Sequence, residues 1–157
     1  MKTADLIDDH AARLRLIHLP FRHYGQKAYI CGPVQTVKCF EDNTILRAQL
    51  DTPGEGRVLV VDAGGSTRIA VVGDMLAELA IANGWAGLVI NGAIRDSAEI
   101  AALDTLLFAL GTSPVKSAKD GLGKVGGTVE LGGVRIAPGN WVYADADGVL
   151  MSAEKLV

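Results

Sequence analysis

Aromatic side chains are scarce in this chain: Phe, Trp and Tyr make up 5% of its 157 residues. Its core must therefore be built from Ala, Val, Ile and Leu. Cysteine is nearly absent too. Cys31 and Cys39 are the only two, with seven residues between them, so there is no CxxC pair and no disulfide framework. They read as small buried thiols in a reducing compartment. No apolar run approaches the ~20 residues of a membrane span. The first residues, Met1-Lys2-Thr3-Ala4-Asp5-Leu6-Ile7-Asp8-Asp9, carry acids where a secretory leader needs a basic start and an apolar block. A cytoplasmic location is expected, with no membrane partner. Nor is there an excess of basic charge. Lys and Arg number 15 against 18 Asp and Glu, a net charge of −3, which excludes a large nucleic-acid footprint.

What remains is ample for a folded domain. The chain is 49% hydrophobic and 21% charged, and its length suits one domain over residues 1–157. Gly reaches 19 residues, which implies many tight turns. Thr3 is placed to cap a first helix whose apolar face is Leu6, Ile7, Ala11 and Leu14. Ala28 to Phe40 reads as extended chain interrupted at Gly32-Pro33, and Thr44 to Leu50 as a short helix. Val58 to Asp62 is a continuous apolar strand. Ile69 to Val72, a buried helix from Met75 to Asn83, the strand Leu88 to Ile90 and a helix from Ala98 to Leu103 follow. That alternation implies a parallel unit with helices on its face. Beyond the Gly-rich loop from Ser117 to Thr128 come four short strands, Val129–Leu131, Val134–Ile136, Trp141–Tyr143 and Val149–Met151.

Several familiar motifs fail their context. Gly121-Leu122-Gly123-Lys124-Val125-Gly126 matches G-x-G-x-x-G, but a dinucleotide site needs a strand before it and a helix after it. Here polar residues precede it and Gly127-Thr128-Val129 reads as strand, so the segment is an ordinary loop. His10, His18 and His23 have neither HxH nor HExxH spacing, which argues against zinc. There is no G-x-S-x-G elbow.

One constellation is left. Asp74 opens the buried helix, and Arg95-Asp96 follows the strand Leu88–Ile90, with twenty residues between Asp74 and Arg95. Asp74 also reads as a helix cap, and Arg95-Asp96 as a solvated charge pair. Yet helix starts and strand ends of one β-α-β unit share an edge of the sheet, where ligands bind. The three side chains would meet beside the backbone amides of Gly73, Asp74, Met75 and Leu76, an anion site in themselves. Carboxylates with water favour a hard divalent ion, Mg²⁺ or Mn²⁺, with open coordination positions. Arg95 can grip a carboxylate in a fork and face a developing enolate oxygen. Such a site suits a 2-oxo acid.

Asp62-Ala63-Gly64-Gly65-Ser66, Gly73-Asp74-Met75-Leu76, Asn91-Gly92-Ala93-Ile94-Arg95-Asp96 and the run from Pro138 to Gly148 together resemble the RraA-like family. That family includes class II 4-hydroxy-4-methyl-2-oxoglutarate aldolases and the regulator of ribonuclease activity A. The resemblance covers essentially the whole chain. It implies a single-domain swivelling β/β/α fold, an α/β architecture with a central mixed sheet flanked by helices. It implies a homotrimer with sites between subunits. Asp96 would ligate Mg²⁺ or Mn²⁺, Asp74 would hold the ion through water, and Arg95 would bind the 2-oxo acid and stabilise its enolate. Gly73, Asp74, Met75 and Leu76 would hold the substrate carboxylate. The implied reaction is cleavage of 4-hydroxy-4-methyl-2-oxoglutarate to pyruvate, with oxaloacetate decarboxylation as a second activity. The alternative is a non-catalytic protein that binds and inhibits ribonuclease E. Some relatives carry methyltransferase labels, which the failed glycine motif does not support. Asn140 stands where many relatives have Asp, a change expected to affect only a turn.

Overall fold

Val-rich runs that are apolar at every position can be buried on both faces, and two of them lie side by side at the centre of the computed structural model. The structure describes residues 2–157. Helix α1 (Thr3–His10) leads through a 3₁₀ turn to β1 (Arg15–Leu16), β2 (Arg22–Tyr24) and the long β3 (Tyr29–Lys38). Then come α2 (Thr44–Leu50), β4 (Val58–Asp62), β5 (Ala70–Val72), α3 (Asp74–Ala82), β6 (Gly87–Asn91) and β7 (Ala93–Ile94). Helix α4 (Ser97–Ala101), β8 (Leu107–Ala109) and β9 (Gly111–Thr112) follow. The chain closes with β10 (Lys124–Val125), β11 (Val129–Leu131), β12 (Val134–Ile136), β13 (Trp141–Asp145) and β14 (Gly148–Ser152).

The main sheet runs β1-β14-β13-β3-β4-β6-β8-β2, with β10 also paired to β3. Its centre, β3-β4-β6-β8, is parallel, and its flanks are antiparallel. Alternate residues of β4 serve the two faces. Leu59 and Val61 pack with Leu46 and Leu50 of α2, Leu76, Ala77 and Ala80 of α3, and Ile100 of α4. Val58 and Val60 pack with Val129, Leu131, Val134 and Ile136 of the β11–β12 hairpin. Helices cover one face and a second β layer the other, which is the expected β/β/α arrangement. A separate three-stranded sheet, β5-β7-β9, is wholly parallel and positions the candidate site.

Four expectations need correction. Gly32-Pro33 does not interrupt β3. Residues 29–33 pair with β13, and residues 34–38 pair with β4. Proline, which has no N–H to give, sits where the strand changes neighbours. Thr3 is not a cap: Lys2 holds that position. Thr3 instead donates its N–H and hydroxyl to the Asp145 carboxylate, at 2.8 and 2.6 Å, and pins α1 to β13. Cys39 is buried as expected, but Cys31 is half-buried; both are free thiols. Burial, with Asp62 and Asp42 nearby, pushes the Cys39 thiol up to about 12, so it stays protonated and inert. Finally, β2 and β8 form where no strand was expected, because three-residue segments at the sheet margin carry too short a pattern to read. Among the described residues no helix is long and apolar enough to cross a membrane.

Leu59 is fully buried in the central strand. Leu59→Ala is expected to lower unfolding stability by about 2–5 kcal/mol in urea titrations, because the flanking helices cannot close the cavity.

Candidate active site

Two parallel strands bring the key residues together. Val72 of β5 lies opposite Ile94 of β7, and the Arg95 N–H donates to the Val72 carbonyl at 2.9 Å. The next residues of each strand, Gly73-Asp74 and Arg95-Asp96, are therefore neighbours. The convergence expected at the end of the Leu88–Ile90 strand is thus made by β7, the short strand after it, in the small sheet.

The contact is close. A Cβ on Gly73 would lie 2.7 Å from Asp96 Oδ2 and 3.6 Å from Arg95 Nε. Glycine here makes room for the carboxylate, which accepts a hydrogen bond from the Asp74 N–H at 3.2 Å. Asp96 reaches it from a left-handed backbone conformation, φ 56° and ψ 41°. A non-glycine residue held there stores about 1–3 kcal/mol of strain, and such residues gather at functional sites. Asp96 occupies the cap position of α4 but makes no side-chain cap bond to it; its carboxylate serves the start of α3 instead.

The N-cap of α3 is Gly73, not Asp74. Asp74 is the first helical residue, and its Oδ1 accepts from the Met75 N–H at 2.8 Å. Two of the four amides expected to be free are therefore engaged. Those of Gly73 and Leu76 meet no acceptor among the described residues. Asp74, Arg95 and Asp96 are all half-buried, while the Leu76 side chain is buried and Met75 is 69% exposed.

These residues line one cleft of about 300 Å³, with Asn43, Arg47, Lys116, Ser117 and Lys119 on its other sides. Four cations thus face two carboxylates, so the cleft favours an anion. The Arg95 guanidinium has no carboxylate partner; the ion pairs among the described residues are Arg13–Glu154 and Arg68–Glu41. A larger cavity, near Arg13 and Glu154, is remote from this chemistry.

Residues from the 113–122 segment were not anticipated as site residues. Ser117 reads in sequence only as the start of the Gly-rich loop, and Asn43 carries no site signal. The signal available was the pair of lysines flanking a serine. The segment is well tied down. The Ala70 N–H donates to the Val115 carbonyl at 2.8 Å and the Ser113 hydroxyl to the Arg68 carbonyl at 2.7 Å. The buried Asp42 carboxylate collects N–H donors from Thr44, Asp120 and Leu122 and the Thr44 hydroxyl. Burial works to raise its pKa, but these hydrogen bonds together outweigh it and hold the group at about 2. Asn43 Nδ2 donates to the Val71 carbonyl at 3.0 Å, and Lys119 Nζ donates to Asn43 Oδ1 at 3.3 Å. One group stays unsatisfied: the Ser117 hydroxyl is buried and has no partner. Leaving a polar group so costs about 1–3 kcal/mol.

The donor set fits a hard divalent ion with few protein ligands. No group of three or more acidic, His or Cys side chains clusters among the described residues, so a full protein cage is not built. Two carboxylates without cation partners at an open cleft match an ion that keeps several waters. The glycine motif supports no nucleotide. Its Lys124-Val125 pairs antiparallel with β3, and strand β11, not a helix, comes next. Asn140 braces a turn, accepting from the Ala137 N–H at 2.8 Å, and its Nδ2 donates to the Ala153 carbonyl at 3.5 Å.

This geometry accompanies a family match. The family model described as RraA-like, Aldolase/RraA, matches residues 3–151, and the chain belongs to that family. It is 50% identical over 155 residues to a protein of Alkalilimnicola ehrlichii provisionally named 4-hydroxy-4-methyl-2-oxoglutarate aldolase, covering 99% of this chain and 96% of that one. A similarly named Arabidopsis thaliana protein is 47% identical, covering 98% and 96%. Among solved structures, one from Geobacillus kaustophilus called an S-adenosylmethionine:2-dimethylmenaquinone methyltransferase superposes with a TM-score of 0.97 at 51% identity, covering 99% and 97%. The RNA-processing inhibitor RraA from Thermus thermophilus superposes at 0.95 with 39% identity, covering 100% and 95%. The names of the Alkalilimnicola and Arabidopsis relatives place the chain with aldolases at family level.

Asp42 generates a pH test. Its folded pKa lies below the usual carboxylate value of 3.8, so its stabilisation is present above about pH 4 and lost as pH falls toward 2. Asp42→Asn should lower stability at pH 6, and the gap from the parent protein should narrow in melts at pH 2.5.

Proposed function

We propose that this chain is a divalent-metal-dependent lyase acting on a 2-oxo diacid. The substrate is 4-hydroxy-4-methyl-2-oxoglutarate, cleaved to two pyruvates, and oxaloacetate is decarboxylated at the same site. The observation that carries this reading is the unpaired Arg95 guanidinium beside Asp96 and the start of α3, in a cleft where cations outnumber carboxylates.

The chemistry asks little of the protein beyond charge placement. In either reaction the C3–C4 bond breaks and its electron pair moves toward the C2 oxygen, giving the enolate of pyruvate. Cleavage also passes the 4-hydroxyl proton to water as the second pyruvate's keto group forms, whereas decarboxylation releases CO₂; in both, the enolate then takes a proton from water at C3 to give pyruvate. The free amides of Gly73 and Leu76 can bind the C1 carboxylate, adding to the helix dipole. Arg95 offers fixed N–H donors to the oxygen on which charge develops, the kind of preorganised stabilisation that dominates such catalysis. Asp96 would hold Mg²⁺ or Mn²⁺ directly and Asp74 would hold it through water; the ion would supply Lewis-acid polarisation of the keto acid. Gly73 keeps Asp96 in place by having no side chain.

The active unit is proposed to be a homotrimer with clefts between subunits. Met75 lines the cleft and is 69% exposed, and Phe40 and Leu122, which flank the Asp42 anchor, are 58% and 64% exposed. A neighbouring subunit would bury them.

A second reading is favoured by the Thermus relative named as an RNA-processing inhibitor: capture of ribonuclease E without catalysis. Stoichiometric binding of that enzyme, with no turnover of any 2-oxo acid, would select it.

Purified protein should release pyruvate from oxaloacetate and from 4-hydroxy-4-methyl-2-oxoglutarate with Mg²⁺ or Mn²⁺, and EDTA should stop it. Arg95→Ala is expected to lower kcat/KM by about 10²–10³-fold. Asp96→Ala should abolish metal-dependent turnover; full activity in that variant would contradict the assignment. Gly73→Ala should keep the fold, because its φ of −120° suits any residue, but displace Asp96 and lower turnover by at least about tenfold.

A further inference from the structure

Ser117 has two properties that rarely coincide. The residue is only 6% exposed, and its buried hydroxyl has no hydrogen-bond partner. It also lines the cleft that holds Arg95, Asp96 and the start of α3. Buried polar groups in folded proteins are nearly always paired, so an orphan in the wall of a cleft marks a place for a ligand atom.

The backbone on both sides of it is held in place. Lys116 bridges to Ala70 and Ala118 bridges to Asp42, so both neighbours of Ser117 are anchored. Ala70 also pairs with Ala93 of β7. A strand residue has two edges; Lys116 takes one and β7 the other. Ser117 therefore flanks β5 on the side opposite Arg95 and Asp96. Its own segment contributes Lys116 and Lys119 to the cleft, so this wall is positively charged.

We propose that Ser117 is a substrate-binding residue whose hydroxyl donates to the distal carboxylate of the 2-oxo diacid. This rests on the lyase reading above and adds the residue that separates diacids from monoacids. One end of the substrate is satisfied by Arg95 and the α3 amides. The opposite wall offers an orphan donor between two lysines, and a second carboxylate is the acceptor it lacks. A monoacid such as pyruvate leaves Ser117 unpaired, and a site built to hydrogen-bond a substrate group discriminates against ligands without it.

The test compares the metal-supplemented parent protein with Ser117→Ala on two substrates. Oxaloacetate decarboxylation reports on a diacid; exchange of pyruvate methyl protons in D₂O, followed by NMR, reports on a ligand with no distal group. Ser117→Ala should raise KM for oxaloacetate about tenfold, as loss of a hydrogen bond to a charged group does, and change kcat by less than about threefold. Pyruvate exchange should stay within about twofold of the parent, and Tm should be equal or higher because an unpaired buried hydroxyl has gone. An unchanged oxaloacetate KM overturns the proposal. So does an equal loss on pyruvate, or a fall in Tm with both activities reduced, which would assign a structural role. If the parent protein neither decarboxylates oxaloacetate nor exchanges pyruvate protons, the lyase reading fails and this proposal with it; an active parent with an indistinguishable variant sinks the Ser117 proposal alone.

Discussion

The site depends on one close approach. Asp96 can place its carboxylate on the first amide of α3 only because residue 73 has no side chain and residue 96 holds a left-handed backbone. The two conditions act on different segments, and β5–β7 pairing brings them into register. An uncompensated carboxylate and an unpaired guanidinium then share a cleft with helix-start amides. Opposite charges held apart in this way are not arranged for stability. Under the proposed function they receive a ligand that carries both anionic and metal-chelating oxygens.

The rest of the architecture supports that approach. The parallel centre of the main sheet is buried on both sides by helices and a hairpin, which gives a rigid frame. The small sheet continues from it through Asn91 to Ala93, so the site sits on strand ends rather than on a free loop. The far wall is irregular chain from 113 to 122, yet Asp42, Ser113 and Ala70 fasten it at several points. The Ser117 hydroxyl is the one buried side-chain polar atom without a partner among the described residues. A protein that accepts such a loss in its free state gains discrimination when the partner arrives.

Much of this was legible in the sequence, for identifiable reasons. Val58–Asp62 and the helix expected from Met75 to Asn83 announce themselves because continuous apolar runs and an all-round apolar helix have few other uses. Asp74, Arg95 and Asp96 could be grouped because strand ends and helix starts share an edge. The strand responsible, however, proved to be the two-residue β7, too short to show any period. The continuity of β3 through Gly32-Pro33 was hidden because strand breaking by proline depends on which neighbour needs the missing N–H. Lys116, Ser117 and Lys119 were hidden because their place follows from bridges to Ala70 and Asp42, contacts distant in sequence with no local signature. Asp42 has no local signature of an anchor, a role that appears only when Asp120 and Leu122 arrive.

Membership of the RraA-like family narrows the chemistry without choosing within it, since relatives carry the names of an aldolase, a methyltransferase and an RNA-processing inhibitor. The site's own charges favour the first. The most direct measurement is a crystal structure with Mn²⁺ and oxalate, an unreactive stand-in for the enolate of pyruvate. The account predicts the ion on Asp96, with oxalate between Arg95 and the amides of Gly73 and Leu76. An ion bound away from Asp96, or oxalate that does not touch Arg95, would contradict it.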